Sequence, residues 1–370
     1  MAETNLFKPL KIGRLTLEHR IAMAPLTRFR ASANHTVPPM TAEYYAQRAS
    51  TPGTLLITES NHISPRHCGA PNAAGIWDDA HVEAYRAVTE AVHARGCYIY
   101  CQLLAPGRAG TTEGHPLLSS SATPMEEGGE VPREMTEEEI WECVGDFQFA
   151  ARRAMEAGFD GVELHGANGY LIDQFTQDVC NVRTDGWGGS IENRSRFAVE
   201  VTKALVDEVG PDRVGVRLSP WNKWQSMMME PASATRAQFS DVILRLKELK
   251  IAYLHLIESR VVNNVDTEKT EGLEFALQVW GNQSPILVAG GFKADTARAA
   301  VDGEYKDYDT VVVFGRYFLS TPDLVYRVCK GLQPNAYDRP TFYTPGEKGY
   351  TDYPFSKEYL RADRGQGVED

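Results

Sequence analysis

Basic clusters and long apolar runs are both missing from this 370-residue chain. It carries 38 Lys and Arg against 50 Asp and Glu, which gives a formal net charge of −12 at pH 7, and it has no run of Lys or Arg. Nucleic acids and anionic membrane surfaces attract clustered positive charge, so neither is expected as a partner. No stretch approaches the roughly 18 apolar residues that a membrane-spanning helix needs.

Targeting patterns and paired cysteines are missing as well. Met1–Asn5 has neither the basic and apolar regions of a secretory signal nor an Arg-rich transit character, and the final Val368-Glu369-Asp370 is no targeting tripeptide. The cysteines are Cys68, Cys97, Cys101, Cys143, Cys180 and Cys329. Because they show no CxxC pair and no zinc-ligand spacing, free thiols are expected rather than disulfides. These absences predict a soluble protein of a reducing compartment, the cytoplasm.

Short β-rich runs alternate with longer segments of helical period along nearly the whole chain. This alternation indicates parallel strands joined by crossover helices, and most runs are continuously apolar, as expected of strands covered on both faces. The predicted strands are Arg20–Ala24, Thr54–Glu59, Tyr98–Leu103, Gly161–His165, Val214–Leu218, Tyr253–Ile257, Ile286–Ala289 and Thr310–Phe314. Eight strands favour a closed (β/α)8 TIM barrel, an α/β fold, over an open doubly wound sheet. No GxGxxG motif follows any strand, which disfavours a Rossmann domain.

Capping residues and glycines mark the helix boundaries. Thr136 and Glu139 form a capping box, and the apolar period that follows them ends at Gly158. Comparable periods end at Gly96 and at Gly210. The sequence therefore predicts helices that begin and end between the strands of the barrel.

Two segments lie outside the repeating unit. Phe7–Ile12 and Arg14–Leu17 flank Gly13 and predict an N-terminal β-hairpin that plugs the amino-terminal end of the barrel. The long loop after strand three, between Ala105 and Met135, has a length typical of a lid, a binding loop or a disordered segment. There is no repeat at solenoid spacing and no interdomain linker, so residues 1–370 are expected to form a single domain.

Polar residues stand near the ends of several predicted strands. In a barrel the carboxyl ends of the strands meet at one mouth, where ligands bind. These residues are Thr27 and Arg28 after strand one, Glu59 on strand two, Gln102 on strand three, His165 on strand four and Arg217 on strand five.

Glycine-rich turns follow the last two predicted strands. Gly290-Gly291 comes after strand seven and Gly315-Arg316 after strand eight, where barrels hold a phosphate through backbone N–H groups and a guanidinium fork. Tight turns alone would also explain these glycines. The two turns taken together with Arg316 favour a phosphate site.

Three of the strand-end residues suit a flavin. Gln102 can pair with the pyrimidine edge, Thr27 can donate to a ring carbonyl, and Arg217 can stabilise negative charge near N1 of a reduced flavin. Each also has a structural explanation, because a strand-end Gln or Thr often caps the barrel and an Arg can form an ion pair.

The segment from His165 to Tyr170 is the most informative one. His165 and Asn168 can both donate to one carbonyl or anion, and the Tyr170 phenol two residues later can deliver a proton. A lone barrel His usually belongs to the core, but three such side chains at the functional end of a strand favour a site. No metal site is expected, because His165 lacks a partner at zinc-ligand spacing. His255, on strand six, is expected to be structural.

Long ordered motifs along nearly the whole chain resemble the old yellow enzyme family of ene-reductases, which includes oxophytodienoate reductases and chanoclavine-aldehyde reductases. The motifs are Leu6–Pro9, His19–Ile21, Met23–Arg28, Tyr44–Arg48, His165–Phe175, Arg183–Arg194, Phe314–Arg316, Pro322–Leu324 and Tyr337–Tyr343. Thr27 in place of Cys matches the Thr-bearing branch of the family. Leu104 stands where many relatives carry Trp, and Ala70 replaces a bulkier aromatic of some, which puts substrate size and orientation in question. Gly291 stands where relatives often have Asn, a change that spares a backbone N–H contact.

The resemblance implies a role for each site residue. Non-covalent FMN would be held by Pro25, Leu26, Thr27, Gln102, Arg217, Gly290, Gly291, Gly315 and Arg316. His165 and Asn168 would grip the substrate carbonyl, Tyr170 would donate the proton, and Tyr343, with Leu104, would line the substrate pocket.

The implied reaction is ping-pong. NADPH or NADH reduces FMN and leaves, and an enone or enal then receives hydride from flavin N5 at its β carbon and a proton from Tyr170 at its α carbon. One alternative is a flavin-dependent isomerase of a specialised-metabolite aldehyde that catalyses no net reduction. Another is a flavin-free phosphate-binding barrel lyase or isomerase. The sequence leaves open the physiological substrate, the preferred nicotinamide and whether the protein is a monomer or a homodimer.

Overall fold

The computed structural model describes residues 4–111, 115–262 and 265–365. The strands are β1 (Leu10–Ile12), β2 (Leu15–Leu17), β3 (Ile21–Met23), β4 (Leu55–Ile57), β5 (Asn61–His62), β6 (Tyr98–Leu104), β7 (Leu118–Ser119), β8 (Arg133–Glu134), β9 (Gly161–Gly166), β10 (Val214–Leu218), β11 (Tyr253–Ile257), β12 (Val261–Val262), β13 (Val265–Asp266), β14 (Ile286–Ala289) and β15 (Thr310–Phe314). The α-helices are α1 (Met40–Arg48), α2 (Asp79–His93), α3 (Glu137–Glu156), α4 (Leu171–Thr176), α5 (Ile191–Val209), α6 (Ala232–Glu248), α7 (Glu274–Trp280), α8 (Ala294–Ala299), α9 (Arg316–Ser320), α10 (Leu324–Lys330) and α11 (Lys357–Gly365).

Eight parallel strands close into a barrel in the order β3-β4-β6-β9-β10-β11-β14-β15, and β15 pairs back with β3. All eight predicted strands are confirmed, each with bounds close to those expected, and the fold is a (β/α)8 TIM barrel. Nearly every strand residue is buried, which explains the continuously apolar runs of the sequence. The register aligns Arg217 with both His165 and His255, so these three side chains lie in one layer near the carboxyl ends of the strands.

The long helices begin and end where their capping residues predict. Thr136 accepts from the N–H of Glu139 and the Glu139 side chain accepts from the N–H of Thr136, so the predicted capping box starts α3. One helix face packs on the barrel through residues such as Val144 and Phe147. Such helices cover the outer face of the strands and leave the carboxyl ends open for a ligand.

The predicted hairpin is confirmed and lies under the barrel. β1 pairs antiparallel with β2, and their apolar side chains join the cluster that fills the barrel interior. Gly13, at the turn, has φ of +54°, and a Cβ there would lie 2.1 Å from the carbonyl oxygen of Asp212, which precedes β10. Tyr98, at the start of β6, donates to the Thr16 carbonyl at 3.2 Å. The hairpin therefore closes the amino-terminal end, opposite the ligand-binding mouth.

The long connection after β6 is partly ordered by short elements. It contains the parallel two-residue strands β7 and β8, and its residues 112–114 lie outside the described part of the chain. Within the described ranges all six cysteines are free thiols, as expected. In those same ranges, no helix combines the length and the apolar character needed to cross a membrane.

Candidate active site

A cavity of about 470 Å³ opens at the carboxyl ends of the barrel strands. Its volume lies within the usual range for a small-molecule site. Most of the predicted site residues line it: Pro25, Leu26, Thr27, Ala70, Leu104, His165, Asn168, Tyr170, Arg217, Arg316 and Tyr343. The structure thus brings together side chains that are up to 318 positions apart in the sequence.

A smaller recess of about 100 Å³ adjoins the cavity and contains the predicted phosphate turns. Gly290 and Gly291 line one side of it, and Gly315 and Arg316 line the other. The recess shares Leu26, Arg217 and Arg316 with the main cavity. A ligand with a phosphate in the recess could therefore extend its ring system into the cavity.

The donor atoms of the two spaces fit FMN. Arg217 is buried and lines both, and its Nε has no hydrogen-bond partner within the described residues, which leaves a donor for a bound group. A Cβ at Gly315 would find its nearest neighbour, Leu26 Cδ2, at 3.6 Å, so the recess is free on that side. Gly291 has φ of +68°, a conformation that turns its backbone tightly at the end of β14. The residues present therefore suit a phosphate joined to a planar ring.

Gln102 lies deeper than the other predicted flavin contacts. It is fully buried, and its amide is already paired: Nε2 donates to Glu163 Oε1 at 2.7 Å, and Oε1 accepts from Ser60 Oγ at 2.6 Å. Ser60, not Gln102, lines the cavity. The Gln102 amide therefore supports Ser60 at the cavity floor, and the predicted contact of Gln102 with a flavin stays a prediction.

A buried carboxylate, Glu163, organises this floor. It accepts hydrogen bonds from the Tyr253 hydroxyl at 3.0 Å and from His255 Nδ1 at 2.8 Å, as well as from Gln102. Burial opposes its charge, but the hydrogen bonds from His255 and Gln102, with the charge of Arg217, lower the pKa of the carboxyl below its ordinary value. Burial lowers the pKa of His255, so we assign a neutral ring whose Nδ1–H donates to the carboxylate. The structural role expected of His255 agrees with this geometry.

His165 is poised as a neutral hydrogen-bond donor. Burial, followed by the nearby charge of Arg217, lowers the pKa of the imidazole well below its ordinary value. Its Nδ1 accepts from the backbone N–H of Ala167 at 3.3 Å, so the ring proton resides on Nε2. A neutral imidazole with this tautomer can donate to a carbonyl oxygen in the cavity.

Asn168 and Tyr170 come from the turn that follows β9. Asn168 has φ of +59°, and its backbone N–H donates to Ser219 Oγ at 2.7 Å. The Tyr170 ring meets His165 edge-on with a centroid distance of 4.9 Å. Burial raises the pKa of the Tyr170 hydroxyl, although a hydrogen bond with the Gln225 side chain opposes the shift. The phenol therefore keeps its proton at neutral pH, as a proton donor must.

Some cavity residues escaped the sequence analysis, among them Phe29, Met125, Trp224 and Gln225. Phe29 has φ of +51°, rare for an aromatic residue, and its ring lies 5.6 Å from that of Tyr343. Met125 comes from the long loop after β6, which supports the interpretation of that loop as a lid or binding loop. Trp224 and Gln225 follow β10, and that position at the carboxyl end of a strand was the one signal that could have identified them.

Comparisons with known proteins agree with this geometry. Residues 5–335 match the model of the NADH:flavin oxidoreductase / NADH oxidase family. A chanoclavine-I aldehyde reductase of Penicillium roqueforti is 51% identical over 366 residues, which is 97% of this chain and 98% of that protein. An NADP-dependent oxidoreductase of Aspergillus flavus is 49% identical over 369 residues, 96% of this chain and 97% of that protein.

The solved structures include a similar barrel. The old yellow enzyme homologue from Zymomonas mobilis has a TM-score of 0.87 and 37% identity, and the match covers 95% of this chain and 99% of that one. A family model that spans most of the chain, relatives of about half identity and a matching barrel all agree. This chain belongs to the NADH:flavin oxidoreductase / NADH oxidase family, the family of old yellow enzyme, and is an oxidoreductase with FMN as its cofactor.

Proposed function

We propose that the protein is an NADPH-dependent ene-reductase that reduces a C=C bond conjugated to a carbonyl group. The observation that carries the proposal is the convergence of His165, Asn168 and Tyr170 on one cavity that Thr27 and Arg217 also line. Two hydrogen-bond donors and a proton donor in one pocket match what this reduction requires of a protein.

The residues around the recess are proposed to hold FMN. Gly290, Gly291 and Gly315 would receive the phosphate through backbone N–H groups, and Arg316 would add charge-assisted hydrogen bonds. Pro25, Leu26 and Thr27 would contact the ring. Arg217 Nε would meet its pyrimidine edge, and Gln102 would act through Ser60, since its own amide is paired with Glu163.

The chemistry divides between the cofactor and three side chains. FMN, when bound, supplies the hydride for the β carbon of the alkene. His165 Nε2–H and the Asn168 amide bind the carbonyl oxygen and stabilise the negative charge that develops there. The Tyr170 hydroxyl gives its proton to the α carbon. Tyr343 and Phe29 form an aromatic wall that shields the substrate from water on the exposed side.

The relatives support the proposed nicotinamide and substrate class. NADPH is proposed because the Aspergillus flavus relative is named as NADP-dependent. An α,β-unsaturated aldehyde is the proposed form of the substrate because the Penicillium roqueforti relative is named as an aldehyde reductase. Leu104 and Ala70 line the cavity with aliphatic side chains in place of bulkier aromatic ones, which suits a bulky enal.

Net reduction is favoured over isomerisation by the position of Tyr170. Reduction consumes one proton for each hydride, and the protonated phenol in the cavity provides it. An isomerase that returned the hydride would have no lasting use for that proton. A saturated aldehyde or ketone is therefore the proposed product.

An anaerobic titration tests the proposal directly. The purified protein should show a flavin absorption band that NADPH bleaches and that an enal or enone restores, with one saturated product formed per NADPH consumed. Product analysis in heavy water should place solvent deuterium on the α carbon. A band that NADPH bleaches but no conjugated enal or enone restores would contradict the proposed function.

A further inference from the structure

The turn that carries Asn168 and Tyr170 is held from behind by two adjacent side chains of α4. The backbone N–H of Gly169 donates to Asp173 Oδ2 at 2.9 Å, and its carbonyl accepts from Gln174 Nε2 at 2.7 Å. Both peptide groups of Gly169 therefore face side chains of the buried helix instead of water. The orientation of Asn168, proposed to bind the carbonyl, and of Tyr170, proposed to donate the proton, depends on these contacts.

A second set of hydrogen bonds joins the same carboxylate to the loop after β10. Gln177 Nε2 donates to Asp173 Oδ1 at 2.8 Å, and Gln177 Oε1 accepts from the backbone N–H of Met228 at 2.9 Å. This loop carries Trp224 and Gln225 into the cavity. It has a costly backbone conformation, with φ of +59° at Gln225 and +102° at Met228, so it needs such a tether to keep its shape.

The directions of the hydrogen bonds around Asp173 favour its ionised form. Backbone N–H groups can only donate, so Met228 requires the Gln177 carbonyl oxygen, and Gln177 must then present its NH2 group to Asp173. Gly169 presents a second donor to the same carboxyl group. Both Asp173 oxygens therefore accept, and the ionised carboxylate satisfies the two donors without placing a third donor between them.

We propose that Asp173 is a positioning residue whose ionised form latches the loop after β10 to the turn after β9. Protonation of Asp173 would place a donor opposite the Gln177 NH2 group, and the Gln177 amide would turn over to accept from it. Met228 would then face an NH2 group and lose its bond. The loop would keep the contacts of Arg108 with the Gln225 and Ser226 carbonyls but lose its tether at Met228, which would loosen Trp224, whose ring meets that of Tyr170 edge-on.

The surroundings of Asp173 bring this switch into the physiological range. Burial raises the pKa of its carboxyl, opposed by the hydrogen bonds from Gln177 and Gly169 and by the charge of Arg108, to about 7. The charged or titratable groups that face it are the Arg108 guanidinium, from the loop after β6, and the Cys180 thiol beyond α4. From the loop after β10, the uncharged Met228 N–H reaches Asp173 through Gln177. The latch should close as the pH rises through about 7 and open as it falls.

Two variants separate the hydrogen bonds from the charge. Asp173→Asn keeps an acceptor for Gly169 but turns an NH2 group toward Gln177, so the latch should stay open at every pH. Adding Gln177→Glu to Asp173→Asn introduces a carboxylate, one oxygen of which can accept from the Asn NH2 group and the other from the Met228 N–H. The double variant should therefore close the latch again. Asp178→Asn, which removes the same charge from an exposed site nearby, is the matched control.

Amide hydrogen exchange of the FMN-loaded protein reports whether the latch is closed, and it needs no substrate. The result is expressed as a protection factor for each amide. In the wild type, the protection factor of the Met228 amide should rise about tenfold between pH 6 and pH 8. In Asp173→Asn it should be low at every pH, and in the double variant it should be high again. The Arg108 amide, held by Gln174 Oε1 at 3.0 Å, should not change. Protection at Met228 that is independent of pH, or that the double variant fails to restore, would overturn the proposal. If neither variant folds, the wild-type pH series decides alone.

The kinetic consequence rests on the proposed function and is tested separately. The rate at which an enone restores the flavin band should rise with pH through about 7 in the wild type and not in Asp173→Asn, while reduction by NADPH is unaffected. If no enone restores the band yet the exchange pattern is as described, the proposed function fails and the latch stands.

Discussion

Burial sets the protonation of the two side chains on which the proposed chemistry depends. His165 stays neutral because desolvation and the charge of Arg217 both disfavour its imidazolium form. Tyr170 stays protonated because desolvation disfavours its phenolate form. The carbonyl oxygen of a substrate would therefore meet an uncharged donor, and the α carbon would lie near a phenol that still holds its proton.

The hydroxyl of Tyr170 should matter in only one half of the reaction. A positioned general acid is typically worth about 10²–10⁴-fold in rate, so Tyr170→Phe should slow reduction of the alkene by that order. Reduction of FMN by NADPH needs no such proton and should be nearly unchanged. Rapid-mixing kinetics of the two half-reactions, measured separately, check this. Equal slowing of both steps would mean that the ring shapes the pocket and does not supply the proton.

Leu104 should control the size of substrate that the cavity accepts. Leu104→Trp fills space in the cavity that this side chain lines, so kcat/KM for a bulky, β-substituted enal should fall about 10–100-fold while a small enone changes little. Steady-state kinetics with one substrate of each size provide the measurement. Leu104→Met, which nearly conserves volume, is the control and should leave both values close to wild type.

Single residues were predictable where strand position alone places them. His165 and Arg217 lie in one layer because the β9–β10 register pairs them, and the sequence shows both near the ends of buried strands. Gln102 was predicted to contact the cofactor, yet its amide is paired with Glu163 and Ser60 below the floor. That pairing depends on a neighbouring strand, which the sequence around Gln102 does not reveal. The roles assigned to these residues stay predictions.

At the scale of elements, the C-terminal segment 339–350 reaches the cavity because buried arginines bind its backbone. Arg30 donates to the carbonyls of Thr341, Phe342, Gly346 and Lys348 at 2.9–3.2 Å. Arg28 donates to Phe342 at 3.0 Å and to Gly349 at 2.7 Å. An irregular segment far along the chain is thereby fixed with Phe342 and Tyr343 facing the ligand.

Removing one of these arginines should loosen the segment. Arg30→Met keeps an apolar stem of similar length but leaves the four carbonyl oxygens without this donor, so the unfolding free energy should drop by about 2–4 kcal/mol. The KM for the enal should rise because Tyr343 is no longer held. Urea unfolding and steady-state kinetics test this. Arg14→Met, which breaks an exposed ion pair with Asp212, is the matched control and should cost less than about 1 kcal/mol.

Strands and helices with a regular pattern of buried residues were predictable from the sequence, and irregular segments were not. The eight barrel strands are covered on both faces, and the resulting apolar runs are visible in the sequence. The cavity walls formed by Phe29, Met125 and Trp224 follow no such period. Their conformation depends on distant contacts, such as the Arg108 guanidinium that donates to the carbonyls of Pro124 and Gln225, at 3.1 and 3.0 Å, and so joins the two loops. No local sequence pattern predicts a contact between two loops that are so far apart in the chain.

At the scale of the whole molecule, buried neutral histidines make stability depend on pH. Burial lowers the pKa of His19 to about 4, of His62 to about 3 and of His67 to about 4. In the unfolded chain these rings titrate near 6.5, so between pH 6.5 and 4 the unfolded state binds more protons than the folded one. Stability is therefore greatest above 6.5 and is lost as the pH falls through this window.

His19 allows the effect to be measured at one position. Its Nε2 lies 2.9 Å from Thr54 Oγ1, whose proton goes to the Thr51 carbonyl, and its Nδ1 accepts from the N–H of Ile21. Protonation would destroy that acceptor, which is why the folded protein resists it. His19→Gln should flatten the dependence of unfolding free energy on pH between 6.5 and 5 by up to about 1.4 kcal/mol per pH unit.

Urea unfolding at pH 7, 6 and 5 with saturating FMN gives the change of unfolding free energy with pH. This change tests the prediction even if the variant is less stable than the wild type at every pH. His93 provides the opposite case, because its hydrogen bond to Asp160 raises the pKa of the imidazole and stabilises the fold in acid. Because a raised pKa adds stability only as the pH falls toward the unfolded value near 6.5, His93→Gln should lower stability below that pH by a constant amount and leave the slope between 6.5 and 5 as in the wild type. A His19→Gln slope between 6.5 and 5 equal to that of the wild type and His93→Gln would mean that carboxyl groups, not buried histidines, set the acid sensitivity of this barrel.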